Sequence, residues 1–473
     1  MIRHVIDGQE TDSIDGATFD DVDPFTRAGY ATVAQASDKD VDLAVAAARR
    51  AFDTGPWSRM GFTERGRILH RFADLVEEHA DELARAEARD MGKPVRAAAG
   101  HDVPRAADNL RFFADHARLS SSESLPSDTG HHVYVRYESA GVVAAIAPWN
   151  FPLMLATWKI APALAWGNTV VLKPAEDTPH SAALLGRLAL EAGVPAGVLN
   201  VVLGHGPVGA TLTRHPDVDR ITFTGSSATG RAISAAAAAH LTPVSLELGG
   251  KGAAVVFDDA DLDNAVEWAV KAAFGNSGQV CLAGSRLYVQ RGVHDEFLRR
   301  FTAAAKAMKL GDPSARDTDI GPLASEKHFT KVTGYLREEA LGGGRIVTGG
   351  VDRGWFVRPT VVVDVPADAP LQREEVFGPV VTVTPFTTEE EGVDLANATP
   401  YGLSAMAFTE NLHRAHRVAA ALRSGNVWIN CFFVRDLRAP FGGVGDSGTG
   451  REGGTFSREF FTEPKSVTVQ VTR

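Results

Sequence analysis

Apolar residues recur at helical spacing in the first quarter of the chain. After short strands and turns in residues 1–35, the pattern predicts three amphipathic helices, over residues 41–52, from Thr63 onward and over roughly 103–116. Residues three or four apart share one face of a helix, and the second helix shows this period most clearly. Thr63 is its predicted N-cap, because a hydroxyl can accept a hydrogen bond from a free backbone N–H. The apolar positions of that helix are Ile68, Leu69, Phe72, Leu75 and Val76.

From residue 140 onward, short apolar strands alternate with helices. This alternation indicates a parallel sheet covered on both faces, with ligands bound at the carboxyl ends of its strands. The alternation repeats from about residue 249, so we expect two α/β domains with an active site in the crevice between them. The predicted strands are 141–147, 169–173, 198–202, 220–223, 253–257 and 286–289, and the predicted helices end near 166 or cover 179–192, 228–239, 262–274 and a segment from 294.

Two further segments alternate polar and apolar residues with the period of a strand. They are residues 132–137, which follow a polar loop at 120–126, and the last strand, 466–471. Nothing downstream covers the last strand, so we expect it to pair outside the main core. The pattern leaves open whether this pairing packs on the same domain or joins two copies of the chain.

Composition and charge narrow the class of protein. A chain of 473 residues exceeds one core and predicts two or three domains. The net charge of −11 argues against a nucleic acid or an anionic membrane as partner. We find no signal peptide and no apolar run that approaches the ~18 residues of a membrane helix. Two cysteines, Cys281 and Cys431, fit a reducing cytoplasm, because a domain of this size needs no disulfide. We also expect no metal.

Cys281 is the candidate nucleophile. It follows Gly275 and Gly278 on a loop, and we expect these glycines to leave room for a substrate. A reactive thiolate also needs amides or positive charge that lower its pKa. An unpaired cysteine is more often a small buried hydrophobic residue. The presence of Glu247, Asn150 and Lys173 elsewhere in the chain favours a catalytic role for Cys281 instead.

Glycine-rich turns predict a dinucleotide site. The run Gly204-His-Gly206-Pro-Val-Gly209 fits G-x-G-x-x-G, but without an acidic residue about 20 positions on it is equally well a plain turn. Gly225 and Ser226, where a strand ends and a helix begins, are better placed to hold a pyrophosphate with free amides. Glu176, after a strand ending at Lys173, can accept both ribose hydroxyls and would repel a 2′-phosphate. NAD is therefore favoured over NADP, although Glu176 can also be a helix-start acid.

Six motifs together resemble the NAD(P)-dependent aldehyde dehydrogenase superfamily, in its order and spacing and over nearly the whole chain. The resemblance implies homodimers or homotetramers and three parts: a Rossmann-type cofactor domain (1–118 and 139–248), an α/β catalytic domain (249–455) and small β oligomerisation strands (119–138 and 456–473). The motifs are Pro148-Trp149-Asn150-Phe151-Pro152, Phe223-Thr224-Gly225-Ser226, Leu246-Glu247-Leu248-Gly249-Gly250-Lys251, the cysteine loop, Glu374-Glu375-Val376-Phe377-Gly378-Pro379-Val380 and Pro440-Phe441-Gly442-Gly443.

The resemblance also implies roles. Cys281 attacks an aldehyde, Asn150 donates to the oxyanion, and Glu247 is the base that activates water against the thioester. Acylating members that use coenzyme A usually lack this glutamate, so hydrolysis is favoured, and a structural protein would have no reason to keep the three together. The implied cofactor contacts are Ile146, Pro148, Trp149, Lys173, Glu176, Gly206, Gly225, Ser226, Leu248, Glu375 and Phe377.

The segment between Cys431 and Pro440 resembles the branch that oxidises hydroxymuconic, carboxymethyl-hydroxymuconic and aminomuconic semialdehydes. Arginine in a substrate tunnel needs an anion, so we expect Arg105 and Arg435 to clamp a carboxylate. An internal ion pair of Arg435 or Arg438 with Asp436 is the alternative, and a broad-specificity aldehyde dehydrogenase is the alternative function. Val444-Gly445-Asp446, where the family often has a lysine, leaves fine specificity open. The other expected substrate contacts are Phe151, Trp158 and Phe441.

Overall fold

Two large β-sheets organise the chain in the computed structural model, which describes residues 1–126 and 128–471. Five parallel strands form the centre of the first sheet, and antiparallel strands form its edges. In spatial order the strands are Gly448–Thr449, Val244–Glu247, Arg220–Thr224, Val142–Ile146, Thr169–Lys173, Leu199–Val201, His4–Ile6 and Gln9–Thr11.

The second sheet is also parallel, except for one antiparallel edge strand, Arg345–Val351. Both sheets confirm the α/β architecture predicted from the alternation of strands and helices. In spatial order the strands are Arg345–Val351, Val357–Val363, Val380–Phe386, Arg286–Gln290, Ala253–Val256, Ser404–Phe408 and Asn426–Ile429.

Strand Val142–Ile146 shows why both faces of the first sheet are apolar. Val143 and Ala145 belong to one buried cluster, whereas Val142, Ala144 and Ile146 belong to another. Successive side chains of a strand point to opposite faces, so a continuous apolar run requires helices on both sides. The helices are Asp38–Asp53, Phe62–Glu78, Ala80–Met91, Val95–Ala97, Val103–Leu119, Pro152–Ala165, His180–Glu191, Gly206–Arg214, Ser227–Ala237, Leu262–Phe274, His294–Ala307, Glu326–Gly334, Glu338–Leu341, Pro370–Arg373, Glu389–Asn397, Leu412–Ala421 and Gly454–Phe461.

Two details of the first quarter differ from the prediction. The second helix begins at Phe62 with Gly61 as N-cap, so the prediction of Thr63 as N-cap is wrong. The Phe62 ring packs edge-on against Trp166 at 5.5 Å, which brings Phe62 into the first turn. Helix Ala80–Met91 was not predicted, because its buried face includes charged residues that hide the apolar period.

A small third sheet lies apart from the two large ones. Strand Thr462–Gln470 pairs antiparallel with His131–Ser139 along its whole length, and Ser124–Leu125 forms the other edge. The expectation that the alternating strands pair outside the main sheets is confirmed. The domain division stays a prediction, and Gly448–Thr449 joins the first sheet although it was assigned to the catalytic domain. Within the described residues, no helix is long and apolar enough to cross a membrane.

The two large sheets meet end to end. The register aligns Ile146 with Lys173 and Thr224 with Glu247, so these residues share the carboxyl edge of the first sheet. The chain then passes directly into strand Ala253–Val256 of the second sheet. The loop that carries Cys281 immediately precedes Arg286–Gln290, the neighbour of that strand. The junction therefore combines carboxyl ends of one sheet with amino ends of the other.

Candidate active site

A cavity of about 190 Å³ lies at this junction. A larger cavity of about 900 Å³ adjoins it and shares Trp149, His328 and Lys331, and Glu176 lines that larger cavity. The small cavity brings together many of the residues predicted from sequence. Its lining is Pro148, Trp149, Asn150, Thr224, Gly225, Ser226, Leu248, Gly249, Cys281, His328, Lys331, Glu375 and Phe377.

The loop before Cys281 is held in an unusual conformation. Asn276 and Ser277 have φ of 52° and 55°, and Gly278 has φ of 69°. A Cβ at Gly278 would collide with the backbone carbonyl of Gly378. Gly278 therefore makes room for a neighbouring loop, and our expectation that it makes room for the substrate is wrong.

The Cys281 thiol lines the cavity and is only partly exposed. Burial, and after it the nearby carboxylates of Glu375 and Glu247, raise the pKa of this thiol to about 12, against the opposing effect of its own backbone N–H and that of Leu282. The expectation that its surroundings lower this pKa is therefore wrong. The thiol is neutral near pH 7, and a base must remove its proton before the sulfur can attack.

Asn150 is buried and its side chain is fixed. Its Nδ2 donates to the carbonyl oxygen of Gln279 at 2.9 Å, two residues before Cys281. Its backbone carbonyl accepts from Nδ2 of Asn276 at 2.9 Å. A primary amide carries two N–H groups, so one remains for an oxyanion in the cavity that Asn150 shares with Cys281.

Glu247 is buried at the end of its strand, and neither of its carboxyl oxygens has a hydrogen-bond partner among the described residues. The close approach of Gly442 explains part of this enclosure, since a Cβ there would lie 2.7 Å from Oε1. Burial raises the pKa of Glu247 well above its ordinary value, and Glu452 adds to the rise. Lys159, Arg435 and Arg451 act in the opposite direction. A carboxyl group with a raised pKa is suited to general base catalysis near neutral pH.

Two charged residues behind Glu247 were missed as functional residues in the sequence. Lys159 is fully buried, and its Nζ donates to Oε1 of Glu452 at 3.2 Å and to the hydroxyl of Thr222 at 3.0 Å. Oε2 of Glu452 accepts from the indole N–H of Trp158 at 2.5 Å. The available signal was a lysine inside an otherwise apolar helix, since a buried lysine almost always has a partner.

The predicted phosphate site is a helix N-terminus. Ser226 caps helix Ser227–Ala237 by accepting from the backbone N–H of Thr229 at 3.2 Å, and Gly225 and Ser226 line the small cavity. Lys173 is buried, its Nζ lies 3.7 Å from Oε2 of Glu176, and burial lowers its pKa. Gly206 begins its helix and lines neither cavity, nor does Ile146.

Glu375 and Phe377 form the opposite wall of the cavity. Oε1 of Glu375 accepts from the backbone N–H of Gly250 at 2.8 Å. Phe377 has φ of 61°, and its carbonyl accepts a hydrogen bond from Nε2 of His328 at 2.7 Å. Burial lowers the pKa of His328 to about 4, so the ring is neutral and donates this bond. Sequence inspection missed His328, whose ring also lies 4.8 Å from that of Trp149.

The predicted substrate residues form a separate cluster. The Arg435 guanidinium lies over the rings of Phe441 and Trp158, at 3.8 and 4.7 Å, and that of Arg105 lies 6.0 Å from the same Trp158 ring. Phe151 contacts the edge of this region through Phe433, at 6.5 Å. Burial, and after it the charge of Arg105, lower the pKa of Arg435 to about 10, so the two like charges are close enough to repel.

Of the two ion pairs considered with Asp436, the structure contains the one with Arg438. Arg438 and Asp436 are exposed and pair at 2.5 Å. Arg435 pairs with no carboxylate in the part of the chain that the structure describes, and its buried Nη2 has no hydrogen-bond partner there. The hypothesis that Asp436 neutralises Arg435 is therefore wrong, and a cationic site remains open to an anion.

The residues at the junction fit a dinucleotide. A capped helix N-terminus suits a pyrophosphate, the half-exposed Glu176 carboxylate suits a ribose, and the aromatic rings of Trp149 and Phe377 form an apolar wall beside Cys281. The two adjoining cavities, of about 190 and 900 Å³, together give room for a cofactor in several parts. We therefore consider the donor set compatible with NAD.

Comparison with known proteins agrees with this geometry. A sequence model of the aldehyde dehydrogenase family matches residues 11–467. The 2-hydroxymuconic semialdehyde dehydrogenase of Pseudomonas sp. (strain CF600) is 47% identical over 484 residues, 99% of each chain. The mitochondrial benzaldehyde dehydrogenase of Antirrhinum majus is 46% identical over 469 residues, 98% of this chain and 88% of that protein. The solved NAD⁺ complex of an aldehyde dehydrogenase from Bacillus cereus superposes with a TM-score of 0.97 at 41% identity, covering 100% of this chain and 97% of that one.

Proposed function

This chain belongs to the aldehyde dehydrogenase family, and from that premise we propose that it oxidises a carboxylate-bearing semialdehyde to the corresponding acid, with NAD as the cofactor. Gly225, Ser226, Lys173, Glu176, Glu375 and Phe377 would hold NAD, with Pro148, Trp149 and Leu248 completing its pocket. When bound, NAD supplies the hydride acceptor of the oxidation.

Cys281 is the nucleophile. Its sulfur forms a bond to the aldehyde carbon while the carbonyl electron pair moves to oxygen. The thiol proton passes to Glu247, which is close enough for its carboxylate to affect the pKa of the thiol. The free N–H of Asn150 and the backbone N–H of Cys281 donate to the oxyanion. Loss of hydride from this thiohemiacetal leaves a thioester on Cys281.

Glu247 then completes the reaction as the hydrolytic base. It first releases the thiol proton to solvent and then takes a proton from water while the water oxygen attacks the thioester carbon. The C–S bond breaks, and the proton on Glu247 passes to the sulfur, which releases the acid and the Cys281 thiol. Its buried and unpartnered carboxyl group supports this role, because nothing competes for its lone pairs. The same feature favours hydrolysis over transfer of the acyl group to coenzyme A, which requires no base for water.

One observation favours a semialdehyde acid over a plain aldehyde. Arg105 and Arg435 bring their charges to one site, and neither forms an ion pair with a carboxylate of the described residues, although Glu452 and Glu247 act on Arg435 at longer range. Two cations that repel each other in a partly dry site are stabilised most by an anion, and a guanidinium matches a carboxylate in shape. The substrate's own carboxylate supplies this anion.

Kinetics of Arg435→Ala test the proposal. The variant should raise KM for an anionic semialdehyde far more than for a neutral aldehyde such as hexanal, because only the anion loses a partner. Arg438→Ala is the matched control, since Arg438 lies three residues away but is exposed and paired with Asp436. Equal effects of Arg435→Ala on both substrates would contradict the carboxylate clamp.

An aromatic aldehyde is the second candidate substrate. Phe151, Phe432 and Phe433 form a chain of ring contacts at the edge of the cluster, and the benzaldehyde dehydrogenase relative is nearly as similar as the semialdehyde dehydrogenase. A panel of muconic semialdehydes, succinic semialdehyde, benzaldehyde and hexanal assayed with NAD separates the two. A kcat/KM for benzaldehyde above that of every anionic substrate would favour this alternative.

We also infer a homodimer or homotetramer in the cytoplasm. Strand Thr462–Gln470 is exposed along most of its length in a three-stranded sheet, which supports pairing with another copy. Both cysteines are unpaired, as expected in a reducing compartment. Light scattering on the purified protein tests the assembly, and a monomer at micromolar concentration would contradict it.

A further inference from the structure

Trp158 holds both arginines of the cluster. Its ring lies 4.7 Å from the Arg435 guanidinium and 6.0 Å from that of Arg105, and Phe441 covers Arg435 at 3.8 Å. These distances are within the range of a cation–π contact, in which the negative face of the ring attracts the cation. Two positive groups therefore share one indole.

An aromatic ring differs from a carboxylate in what it does to the cation. An ion pair would neutralise the guanidinium and compete with an incoming anion, whereas a ring face attracts the charge without cancelling it. It also leaves the N–H edge of the guanidinium free. Consistent with this, within the described part of the chain Arg105 donates a hydrogen bond only to the side chain of Asn109, at 3.2 Å, and Nη2 of Arg435 has no partner there. The clamp keeps its charge available.

Glu452 fixes the indole by its edge. Oε2 accepts from the Trp158 N–H at 2.5 Å, while Oε1 accepts from Lys159 and Thr222 at 3.2 and 3.3 Å. The carboxylate behind the cluster therefore binds the ring and the lysine and makes no ion pair with either arginine. On the apolar side Phe113 packs against the ring at 5.3 Å. The indole is held in one orientation from both sides.

We propose that Trp158 is the positioning residue of the carboxylate clamp. Its face sets the positions of Arg105 and Arg435 while leaving them charged, and its N–H bond to Glu452 fixes that face. The ligand class is an aldehyde that carries a carboxylate at the far end from the reacting carbon. This inference rests on the proposed function, and it names Trp158 as a residue on which the selectivity for anionic semialdehydes depends.

The test uses Trp158→Leu, Trp158→Phe and the control Trp166→Phe. Trp166 ends the same helix and is equally buried, but its indole N–H has no partner among the described residues and no guanidinium lies over its ring. The readout is the ratio of kcat/KM for an anionic semialdehyde to kcat/KM for hexanal, together with competitive inhibition of hexanal oxidation by succinate and glutarate. Thermal denaturation checks that each variant folds.

Trp158→Leu should reduce the selectivity ratio about tenfold and weaken both dicarboxylates by a similar factor, because a cation–π contact in a dry site stabilises by about this much. Trp158→Phe keeps a ring but loses the bond to Glu452, so it should reduce the ratio by about threefold. Trp166→Phe should leave the ratio unchanged. A purely structural role of Trp158 would lower activity on both substrates without changing their ratio.

The possible failures can be told apart. If the wild-type protein does not prefer the anionic substrate, the proposed function is wrong. If the wild type prefers the anionic substrate and Trp158→Leu keeps the wild-type selectivity ratio, the positioning role of Trp158 is wrong and the proposed function stands. If Trp158→Phe matches the wild type in ratio and in dicarboxylate inhibition, the anchoring by Glu452 is wrong.

Discussion

Replacing Glu247 by Gln tests the central step, because the change removes the base and almost nothing else. The two side chains have the same shape, and the carboxyl oxygens of Glu247 make no hydrogen bond with the described residues that the variant could break. A positioned general base contributes a factor of about 10²–10⁴, or roughly 3–5 kcal/mol of barrier. We expect steady-state turnover to fall by this factor at pH 7.5.

The Cys281 thiol allows the two proton transfers to be separated. Its pKa is about 12, so without Glu247 the thiolate fraction should rise tenfold with each pH unit below that value. The burst of NADH measured by rapid mixing reports the first turnover and should recover in this way between pH 7 and 9.5. Steady-state turnover should stay low, because the thioester still lacks a base for water. If the two rates recover in parallel, the acyl-enzyme does not accumulate and Glu247 is not the hydrolytic base.

The stability of Glu247→Gln provides an independent test of the raised pKa of Glu247. Burial raises the folded-state pKa of Glu247, so the folded protein binds this proton more tightly than the unfolded chain does. Stability due to this group is therefore present at low pH and is lost as pH rises from the unfolded pKa through the raised folded pKa. Glutamine does not titrate, so the melting temperature of the variant minus that of the wild type should increase with pH over this window. A difference that is constant with pH would contradict the raised pKa.

Three further substitutions, one of them with a matched control, test other parts of the site. Asn150→Ala should reduce kcat about 10²–10³-fold, or ~2.7–4 kcal/mol, with a smaller change in KM, and steady-state kinetics show whether it does. Gly278→Ala should lower the melting temperature strongly, because its Cβ would meet the Gly378 carbonyl at a positive φ, whereas Gly275→Ala, with open space around its Cβ, should change it little. Glu176→Gln should lower KM for NADP several-fold relative to NAD by removing charge repulsion, and unchanged cofactor preference would exclude this role.

Much of the fold was predictable because its signals are local. Strand Thr169–Lys173 and helix Leu262–Phe274 have the predicted boundaries, since a continuous apolar run and an Asp N-cap each act over a few residues. Helix Ala80–Met91 was missed because its buried Glu87 and Asp90 look like surface residues until their partners are known. Glu87 accepts from the backbone N–H of Leu153, far along the chain.

The sequence predicted many of the residues that line the small cavity, but it did not predict their electrostatics. The glycines before Cys281 suggested an accessible thiolate. In the structure Gly278 instead allows the backbone of Gly378 to approach closely, and the thiol is neutral because its pKa is raised. The ion pair with Asp436 could not be assigned to Arg435 or to Arg438 from sequence, because sequence distance cannot show which guanidinium points inward. Arg438 turns to the surface and pairs there, and Arg435 turns onto two rings.

The pKa of Glu247 shows why the electrostatics of the site cannot be predicted from local sequence. Burial at the carboxyl edge of the first sheet raises it, and this part follows from the strand that ends there. The remaining contributions come from Glu452, which raises it, and from Lys159, Arg435 and Arg451, which lower it, and these residues lie on three other segments. Arg435 belongs both to this group and to the proposed clamp, so a substrate carboxylate that neutralises it removes a charge that favours ionised Glu247. Selectivity and basicity are therefore coupled through one arginine, and an anionic substrate should shift the pH dependence of kcat upward relative to hexanal.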